Sequence, residues 1–377
     1  MNLNRLTKMG QEEYKVDIHK LVQIYSNFFK DKGYSFKKRN SLISPFFPDT
    51  FNPSAAHLQI RNIITGEENL PSLPKFFLID PCFRHIDIEK VGYSFYHLSL
   101  FEMAASVYLV EKNKTLEAKE KIIKEAWEFL VKELGLDPDK LVVTIFGGWQ
   151  IGSLSFERDY ESFHICETLG FPKERIIYIP GERNFTYLKN ENEPAGPRCE
   201  IYFDRGNKYG DIYRYIELGT IIFESYKFDK KAPNKLIPLE NKIYGSAWGI
   251  ERLSLILEGK DTIFQTTGVF PLINIINAYI KDKRQSVLFP SQINLIADHI
   301  RSIVFIICDG QLPDNSKRGQ RLRKLIKAFV SNSKALCNRD TVLYEDLIDT
   351  LIEIYKPRYP ELSLARDEIL NIIKNYT

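Results

Sequence analysis

The pattern of helix-forming and strand-forming segments changes at about Asp261. Before that point, two amphipathic helices are predicted over residues 12–31 and 115–134. Short runs rich in β-branched and aromatic residues lie between and after them, at 76–79, 141–146, 199–204 and 213–228. Glycines and Asn-Lys turns between these runs favour an antiparallel sheet and not alternating β-α-β units. After Asp261 the apolar periodicity is helical throughout.

The predicted fold class is therefore α+β, with an antiparallel sheet flanked by helices over residues 1–260 and an all-helical domain over 261–377. The 377 residues are enough for two domains with a sizeable core. In the second domain we expect helices near 291–308, 319–330, 343–355 and 364–376. Ser291 is the expected N-cap of the first of these helices.

Charge, hydropathy and cysteine content narrow the class of protein. The 52 basic and 49 acidic residues nearly balance, so the chain as a whole is no polycation and we expect no DNA partner. No stretch approaches the roughly 20 apolar residues of a membrane helix, and the N-terminus is polar and charged, so we expect no membrane partner and no secretory signal. The five scattered cysteines contain no CxxC pair and are typical of a cytoplasmic protein.

One segment is locally basic. Between Asn315 and Asn338 it has no acidic residue and seven basic ones, which are Lys317, Arg318, Arg321, Arg323, Lys324, Lys327 and Lys334. Such a run could bind a phosphate backbone. A solvated helix face is the commoner explanation of a charged run.

Two arginines lie in aromatic and glycine-rich surroundings, and no P-loop, dinucleotide-binding or serine-hydrolase motif occurs in the chain. Arg84 follows Phe83 and precedes the run 97–103, and Arg252 ends the run 249–252. ATP activation of a carboxylate needs cations at the phosphates and an aromatic face for adenine. A guanidinium is suited to both tasks, because its planar fork binds phosphate bidentately and stacks on rings. For a lone arginine, a surface ion pair is the ordinary alternative.

These surroundings resemble the alanyl-tRNA synthetase family, with its archaeal-type motif spacing. Six segments match in the order that the family has them: motif 2 at 82–103, two signature strands at 195–200 and 217–223, motif 3 at 249–252, and helical-domain segments at 296–302 and 309–323. Each segment alone would be a weak signal, but six in order are a strong one. The resemblance covers nearly the whole chain. It implies a class II synthetase-like sheet followed by a tRNA-recognition domain.

The resemblance also implies sites for ATP, an amino acid and a tRNA acceptor stem. Arg84 and Arg252 would be catalytic and hold the α- and γ-phosphates of a bent ATP, and Glu217 would hold Mg²⁺. The implied ATP-binding residues are Arg84, His97, Phe101, Glu102, Glu217, Gly249 and Arg252, with Phe101 stacked on adenine. The implied subsite for alanine or another small amino acid contains Glu200, Gly219, Thr220 and Gly245. The implied tRNA-binding residues are Asn315, Lys317, Arg318, Arg321 and Lys324. A core aromatic for Phe101 and a structural ion pair for Glu217 are the ordinary alternatives.

One departure from the family pattern concerns the amino-acid subsite. Gly245 stands where the family has an aspartate that holds the substrate's α-amino group. A buried ammonium without a carboxylate partner loses a charge-assisted bond of order a few kcal/mol. We therefore expect another acid to take over that contact, and the candidates are Glu200, Glu102 and Glu224.

Three further departures concern phosphate and tRNA contacts and fidelity. Tyr96 replaces an arginine of motif 2, and Lys317 replaces the asparagine that reads the acceptor-stem G·U pair. Lysine keeps affinity for phosphate but loses the paired donor and acceptor of the amide. The sequence also ends without the family's editing and C-terminal oligomerisation domains. From this we expect a relaxed demand for fidelity, a separate editing partner or a different substrate.

Three hypotheses remain open from the sequence. The chain is a working ligase that forms an aminoacyl-adenylate and charges a tRNA, which both motif arginines and the helical domain favour. It is a repurposed paralogue that activates another amino acid for a specialised pathway, which Gly245, Tyr96 and Lys317 favour. Or it is a non-catalytic tRNA-binding protein that keeps the fold.

Overall fold

A mixed sheet forms the centre of the protein in the computed structural model, which describes residues 16–65, 74–232, 234–338 and 340–376. Its strands are β1 Ser35–Phe36, β2 Lys75–Phe83, β3 Leu100–Val110, β4 Leu141–Phe146, β7 Ile176–Ile179, β8 Phe185–Tyr187, β9 Pro194–Asp204, β10 Tyr215–Phe228 and β11 Leu236–Gly249. Within the described residues these nine strands follow the order β1-β2-β3-β11-β10-β9-β4-β7, and β8 pairs with β9. Two further strands, β5 Trp149–Ile151 and β6 Leu154–Phe156, form a separate hairpin.

The long central strands are antiparallel, as predicted, whereas the outer pairs β1–β2 and β4–β7 are parallel. Successive side chains of a strand point to opposite faces. On β3 this alternation sends Phe101 and Met103 to one face of the sheet and Ala104 to the other. The two faces are consequently covered by different parts of the chain.

Helices from the first part of the chain cover one face of the sheet. They are α1 Ile18–Asp31, α3 Thr115–Trp127 with a π-helical continuation Glu128–Glu133, α4 Tyr160–Leu169 and α6 Ile250–Leu257. Their apolar stripes share a core with Trp248 and Ile221 of the sheet. On the other face, α2 His57–Thr65 packs through Ile60 against Val107 of β3. A short helix, α5 Gly210–Arg214, precedes β10.

The remainder of the chain is helical, in agreement with the prediction. It consists of α7 Phe270–Tyr279, α8 Gln285–Leu288, α9 Pro290–Cys308, α10 Lys317–Leu336, α11 Asp340–Tyr355 and α12 Glu361–Lys374. Its core also contains Phe83 and Leu100 at the ends of β2 and β3. Because one apolar cluster runs through both parts, the domain boundary between residues 260 and 261 stays a prediction.

The structure corrects several local predictions. The helix α9 begins with Pro290 and has no side-chain cap, so the expected cap at Ser291 is wrong; proline suits a first helical position because its missing N–H is not needed there. The helix α10 begins earlier than expected because the Ser316 hydroxyl accepts a hydrogen bond from Gly319 N. For the opening helix, the predicted residues 12–15 lie outside the described residues. Among the elements absent from the prediction are α2, α4, β3, β7 and β11.

The helix α9 also departs from the expectation that no segment would resemble a membrane span. Among the described residues it is the one helix long and apolar enough to cross a membrane by length and composition. Of that apolar window, 72% is buried inside the protein. Burial of this extent is typical of the central helix of a globular core.

Candidate active site

A cavity of about 450 Å³ opens against β3, β9, β10 and β11 and the first turn of α6. This volume lies within the range of roughly 300–1,000 Å³ that small-molecule sites have. Most of the site residues predicted from the sequence line it, namely Arg84, His97, Phe101, Glu200, Glu217, Gly219, Thr220, Gly249 and Arg252. Residues far apart in the sequence thus meet around one volume.

Arg84 lies just past the end of β2, where its backbone N–H donates to the Ser99 carbonyl. Its Nε donates to the carbonyl oxygen of Pro53 at 3.2 Å, and its guanidinium carbon lies 5.0 Å from the centre of the Phe101 ring. The carbonyl and the ring fix the direction of the side chain, while Arg84 itself is only half-buried. A cation held in this way can receive an anionic ligand that enters the cavity.

Arg252 lies in the first turn of α6, directly after the end of β11. Its Nη1 donates to the side-chain Oε2 and to the backbone carbonyl of Glu217, both at 3.1 Å. The guanidinium carbon lies 5.0 Å from the centre of the Tyr96 ring. Gly249, which precedes the helix, adopts an extended conformation, and α6 thereby presents its N-terminal backbone groups near the cavity.

Tyr96 and His97 form the aromatic side of the same end of the cavity. Their rings stack with centres 4.3 Å apart, and His97 Nδ1 lies 2.7 Å from Ser94 Oγ. Tyr96 contributes an aromatic surface to Arg252. It carries no charge of its own to offer a phosphate at this position, consistent with the departure seen in the sequence.

The strands β9 and β10 supply the next part of the wall. Glu200 and Thr220 face each other across the β9–β10 pair. Glu200 is bound on both oxygens, by Arg198 at 2.8 Å and by the Tyr202 hydroxyl at 2.6 Å. A β-bulge between Glu217 and Gly219 brings Gly219 against Ala247, so closely that an added Cβ would lie 2.2 Å from the Ala247 carbonyl oxygen. Glycine is therefore required there.

Comparison with known proteins decides the family. The family described as "tRNA synthetases class II (A)" matches residues 20–376. The chain belongs to the class II tRNA synthetases. The predicted class II synthetase-like fold class is thereby confirmed.

Two of the curated relatives that the chain matches are alanine–tRNA ligases, which confirms the predicted resemblance. One from Thermoanaerobacter sp. (strain X514) is 31% identical over 376 residues, covering 96% of this chain and 40% of the relative. One from Staphylococcus aureus (strain JH9) is 31% identical over 384 residues, with the same shares covered. The chain thus spans about two fifths of the length of the curated relatives it matches. A solved histidyl-tRNA synthetase from S. aureus shares 12% identity, with a TM-score of 0.43 over 70% of this chain and 76% of that one, a likeness too slight to carry an argument.

Two of the residues predicted for the ATP and amino-acid sites do not line the cavity. Glu102 points to the opposite face of β3, where it is 1% exposed. Its carboxylate accepts hydrogen bonds from Arg358, at 2.9 and 2.7 Å, and from the Tyr359 hydroxyl at 2.8 Å. We therefore assign Glu102 to the contact between the sheet and the helices and not to ATP. The alternation of side chains along β3 could have given this result from the sequence.

Gly245 is the second of these predicted residues that does not line the cavity. It lies in β11 between Val107 of β3 and Ile222 of β10. A Cβ built on Gly245 would lie 2.0 Å from the carbonyl oxygen of Ser106. No side chain fits at this position without movement of the backbone, so Gly245 itself cannot contact the amino group of a substrate.

The residues predicted to bind tRNA lie at the start of α10, against the loop that precedes α2. Lys317 Nζ lies 2.6 Å from Asp49 Oδ2, Arg321 Nε donates to the Asp49 carbonyl at 2.9 Å, and Arg318 contacts the Ser44 carbonyl at 3.3 Å. The Asn315 side chain accepts hydrogen bonds from Arg323. Lys324 is exposed. The same loop continues to Pro53 and Ser54, which line the cavity, so the basic helix start is connected to the site.

Two further cavity residues were not predicted from the sequence. Arg198 lies two residues before Glu200 on β9, and the period of a strand could have placed it on the same face. His57 begins α2, a helix that the sequence pattern did not reveal. Its Nε2 lies 2.6 Å from Glu193 Oε2, and Arg61 of the same helix lies 2.8 Å from Glu193 Oε1.

The donors near Arg252 fit a magnesium ion that is shared with a bound ligand and do not fit one held by the protein alone. No group of three or more His, Cys, Asp or Glu side chains suited to a metal occurs in the part of the chain that the structure describes. Glu217, whose side chain is 40% exposed and bound to Arg252, offers one carboxylate. Mg²⁺ commonly binds through one or two carboxylates together with substrate phosphates and water. Glu217 would hold it only together with ATP.

Proposed function

We propose that this synthetase uses ATP to activate a small amino acid as an aminoacyl-adenylate and transfers the aminoacyl group to the acceptor end of a tRNA. The observation that carries the proposal is the meeting of Arg84, Arg252 and an aromatic ring, Phe101, around one cavity. Two guanidinium groups suit the phosphates of ATP, and the ring beside Arg84 suits adenine. The relatives' names support the class of reaction.

The first step is an in-line displacement at the α-phosphorus. The amino-acid carboxylate forms the new O–P bond, and the bond from phosphorus to the bridging oxygen breaks and releases pyrophosphate. Arg84 would bind the α-phosphate and stabilise the added negative charge, and Arg252 would hold the γ-phosphate. Mg²⁺, when bound, neutralises part of the polyphosphate charge. No side-chain nucleophile is required, so catalysis rests on positioning and electrostatics.

In the second step, a ribose hydroxyl of the terminal tRNA nucleotide attacks the carbonyl carbon of the adenylate and releases AMP. The acceptor end must therefore reach the cavity while the stem is held outside it. The basic start of α10 is suited to hold the stem, because its cations can bind the phosphate backbone. It also lies beside the cavity wall, since Lys317 and Arg321 contact Asp49 in the loop that leads into that wall. Unless a separate signal directs it elsewhere, such an enzyme would act in the cytoplasm.

Amino-acid-dependent ATP–pyrophosphate exchange tests the proposal. The purified chain is assayed with each of the common amino acids in turn. We expect exchange with alanine, glycine or serine. Exchange with a different amino acid alone would favour the repurposed paralogue, a candidate that the lack of space for a side chain at Gly245 supports. A folded protein that gives no exchange with any amino acid, with or without tRNA, would contradict the proposal.

Removal of charge at the start of α10 should weaken tRNA binding. We expect the double change Lys317→Ala and Arg321→Ala to raise the tRNA Kd about tenfold or more and to lower the slope of log Kd against log salt by roughly 2, because two phosphate contacts are lost. Filter binding across a salt series measures both quantities. Exchange measured without tRNA should be retained.

A matched control for this pair is Lys173→Ala with Lys189→Ala. These two lysines are exposed, at 73% and 61%, and lie in the sheet-containing part of the chain, far from α10 in sequence. Their replacement by alanine removes two positive charges, as the change at Lys317 and Arg321 does. Equal losses of tRNA affinity in the two double variants would mean that net charge and not the α10 surface sets the binding.

A further inference from the structure

Four acidic side chains line the cavity in the described part of the chain, and three of them are paired with a cation. The pairs are Glu200–Arg198 at 2.8 Å, Glu217–Arg252 at 3.1 Å and Glu251–Arg301 at 2.5 Å. The fourth acid, Glu224 on β10, has no ion pair among the described residues. It is therefore the cavity carboxylate left to bind a ligand.

Glu224 is a buried carboxylate at the cavity wall, and one of its oxygens has no protein partner among the described residues. Its side chain is 4% exposed, and its Oε2 is buried without a hydrogen-bond partner among the described residues. Burial, and next the nearby carboxylate of Glu193, raise the pKa of Glu224 to about 8, against a smaller opposing effect of Arg198. A buried polar atom without a partner costs about 1–3 kcal/mol, so such a group in a native protein calls for an explanation.

The position of Glu224 gives that explanation. It lies on the same strand as Glu217, which binds Arg252, but seven residues further along, so it is at the end of the cavity away from the phosphate-binding arginines. Its diagonal neighbour across the β10–β11 pair is Gly245, which has no side chain to crowd or pair with the carboxylate. Ile222 and Val107 beside it are apolar.

We propose that Glu224 is the binding residue for the ammonium group of the amino-acid substrate. The inference rests on the proposed function in one respect: the substrate carboxylate must face the ATP-binding arginines at the other end of the cavity. The ammonium then enters the apolar end, donates to Glu224 and supplies the missing partner. With a single unpaired carboxylate available among the described lining residues, the substrate class is an amino acid with one ammonium group and an uncharged side chain.

The proposal can be tested by direct binding, without relying on turnover. The probes are three acyl-sulfamoyl adenosines, stable analogues of an adenylate, that carry alanyl, β-alanyl and propionyl groups. The first two place an ammonium at the α- and β-carbon, and the third has none. By calorimetry, we expect wild-type protein to bind one of the ammonium probes roughly 100-fold more tightly than the propionyl probe, as a buried charge-assisted bond implies.

The change Glu224→Gln should reduce that preference to less than about tenfold and leave the propionyl Kd within about threefold of its wild-type value. Glutamine keeps the size of the side chain and imitates its protonated form, so the variant should fold. Glu353→Gln, on the exposed surface of α11, is the matched control. Whichever ammonium probe binds more tightly shows whether an α- or a β-amino acid fits.

Each outcome is decisive for one proposal or the other. If wild-type protein binds all three probes equally tightly, or if Glu224→Gln keeps the full preference, the assignment of Glu224 is wrong and the adenylate site still stands. If the folded protein binds none of the probes, the proposed function and the Glu224 assignment both fail.

A pH dependence follows from the same contact. Below about pH 8 the empty site holds a proton on Glu224 that must leave before an ammonium binds. The Kd of the preferred ammonium probe should therefore fall about tenfold per pH unit from pH 6 towards 8, and rise again as the probe's own amino group loses its proton.

The groups that face Glu224 are Arg198 on β9, Glu193 before that strand, and His57 and Arg61 on α2, which both pair with Glu193. A slope that came from any other group would persist in Glu224→Gln, whereas a slope due to Glu224 would disappear. Persistence of the full slope in the variant would exclude Glu224 as its source.

Discussion

Replacement of Arg84 by alanine should reduce amino-acid-dependent ATP–pyrophosphate exchange by roughly 10²- to 10³-fold. The expected loss is that of one preorganised donor aimed at charge that develops in a transition state. Arg84 is preorganised by two contacts, the Pro53 carbonyl and the Phe101 ring. Because both contacts come from the protein itself, the guanidinium is already oriented in the absence of a ligand. In the proposed mechanism, its removal would leave the α-phosphate without that cation.

Two companion variants make this result specific. Arg84→Lys keeps the charge but loses the planar fork, so we expect a loss between that of alanine and none. Arg284→Ala removes an arginine whose side chain is 86% exposed and paired with Asp282, and it should leave exchange unchanged. Isotope exchange and ATP titration measure the effects. If Arg84→Ala exchanges at a rate within threefold of the wild type, Arg84 does not stabilise the α-phosphate.

The segments with a strong local signal were predictable from the sequence. The helix α1 shows a clear helical periodicity of buried residues, and the strand β4 is a short continuous run of β-branched and apolar residues. The helices after Asp261 were predicted for the same reason, since no strand competes there. The observed bounds differ at the ends, where single caps such as Ser316 decide the first turn.

The elements that were missed lack such a local signal. The strand β3 is buried along most of both faces, so its sequence does not alternate between apolar and polar residues. The helix α2 is held by side-chain contacts distant in sequence, such as that of Arg61 with Glu193. Neither burial on both faces nor a contact distant in sequence can be inferred from the neighbouring residues in the chain.

The residues of the candidate site also differ in how far the sequence could predict them. Arg84 and Arg252 could be named because their motifs are short and ordered, and the structure brings them to one cavity. Glu102 was placed in the wrong environment, because its partner Arg358 is 256 residues away. Glu224 was one of three candidate acids from the sequence. It stands out from the others only when the partners of Glu200 and Glu102 are known.

A large loss of stability is expected when Arg301, in the helical part of the protein, is replaced. This arginine is fully buried and pairs with Glu251 at 2.5 Å, while its Nη1 donates to the Leu100 carbonyl at 3.0 Å. The change Arg301→Met would leave the buried Glu251 carboxylate without its counter-ion. We expect the free energy of unfolding to fall by about 3–5 kcal/mol, the range for breaking one side of a buried pair. Urea unfolding followed by circular dichroism measures it.

The same change should also reach the active site, because Glu251 precedes Arg252 and its Oε2 accepts a hydrogen bond from the Glu102 backbone N–H. Adding Glu251→Gln to Arg301→Met removes the orphaned charge, so the double variant should be more stable than Arg301→Met alone. Arg366→Met breaks a largely solvated pair with Asp349 and should cost less than about 1 kcal/mol. If Arg301→Met costs no more than Arg366→Met, the buried pair does not hold the helices to the sheet. Attachment would then rest on the apolar contacts of Phe83 and Leu100.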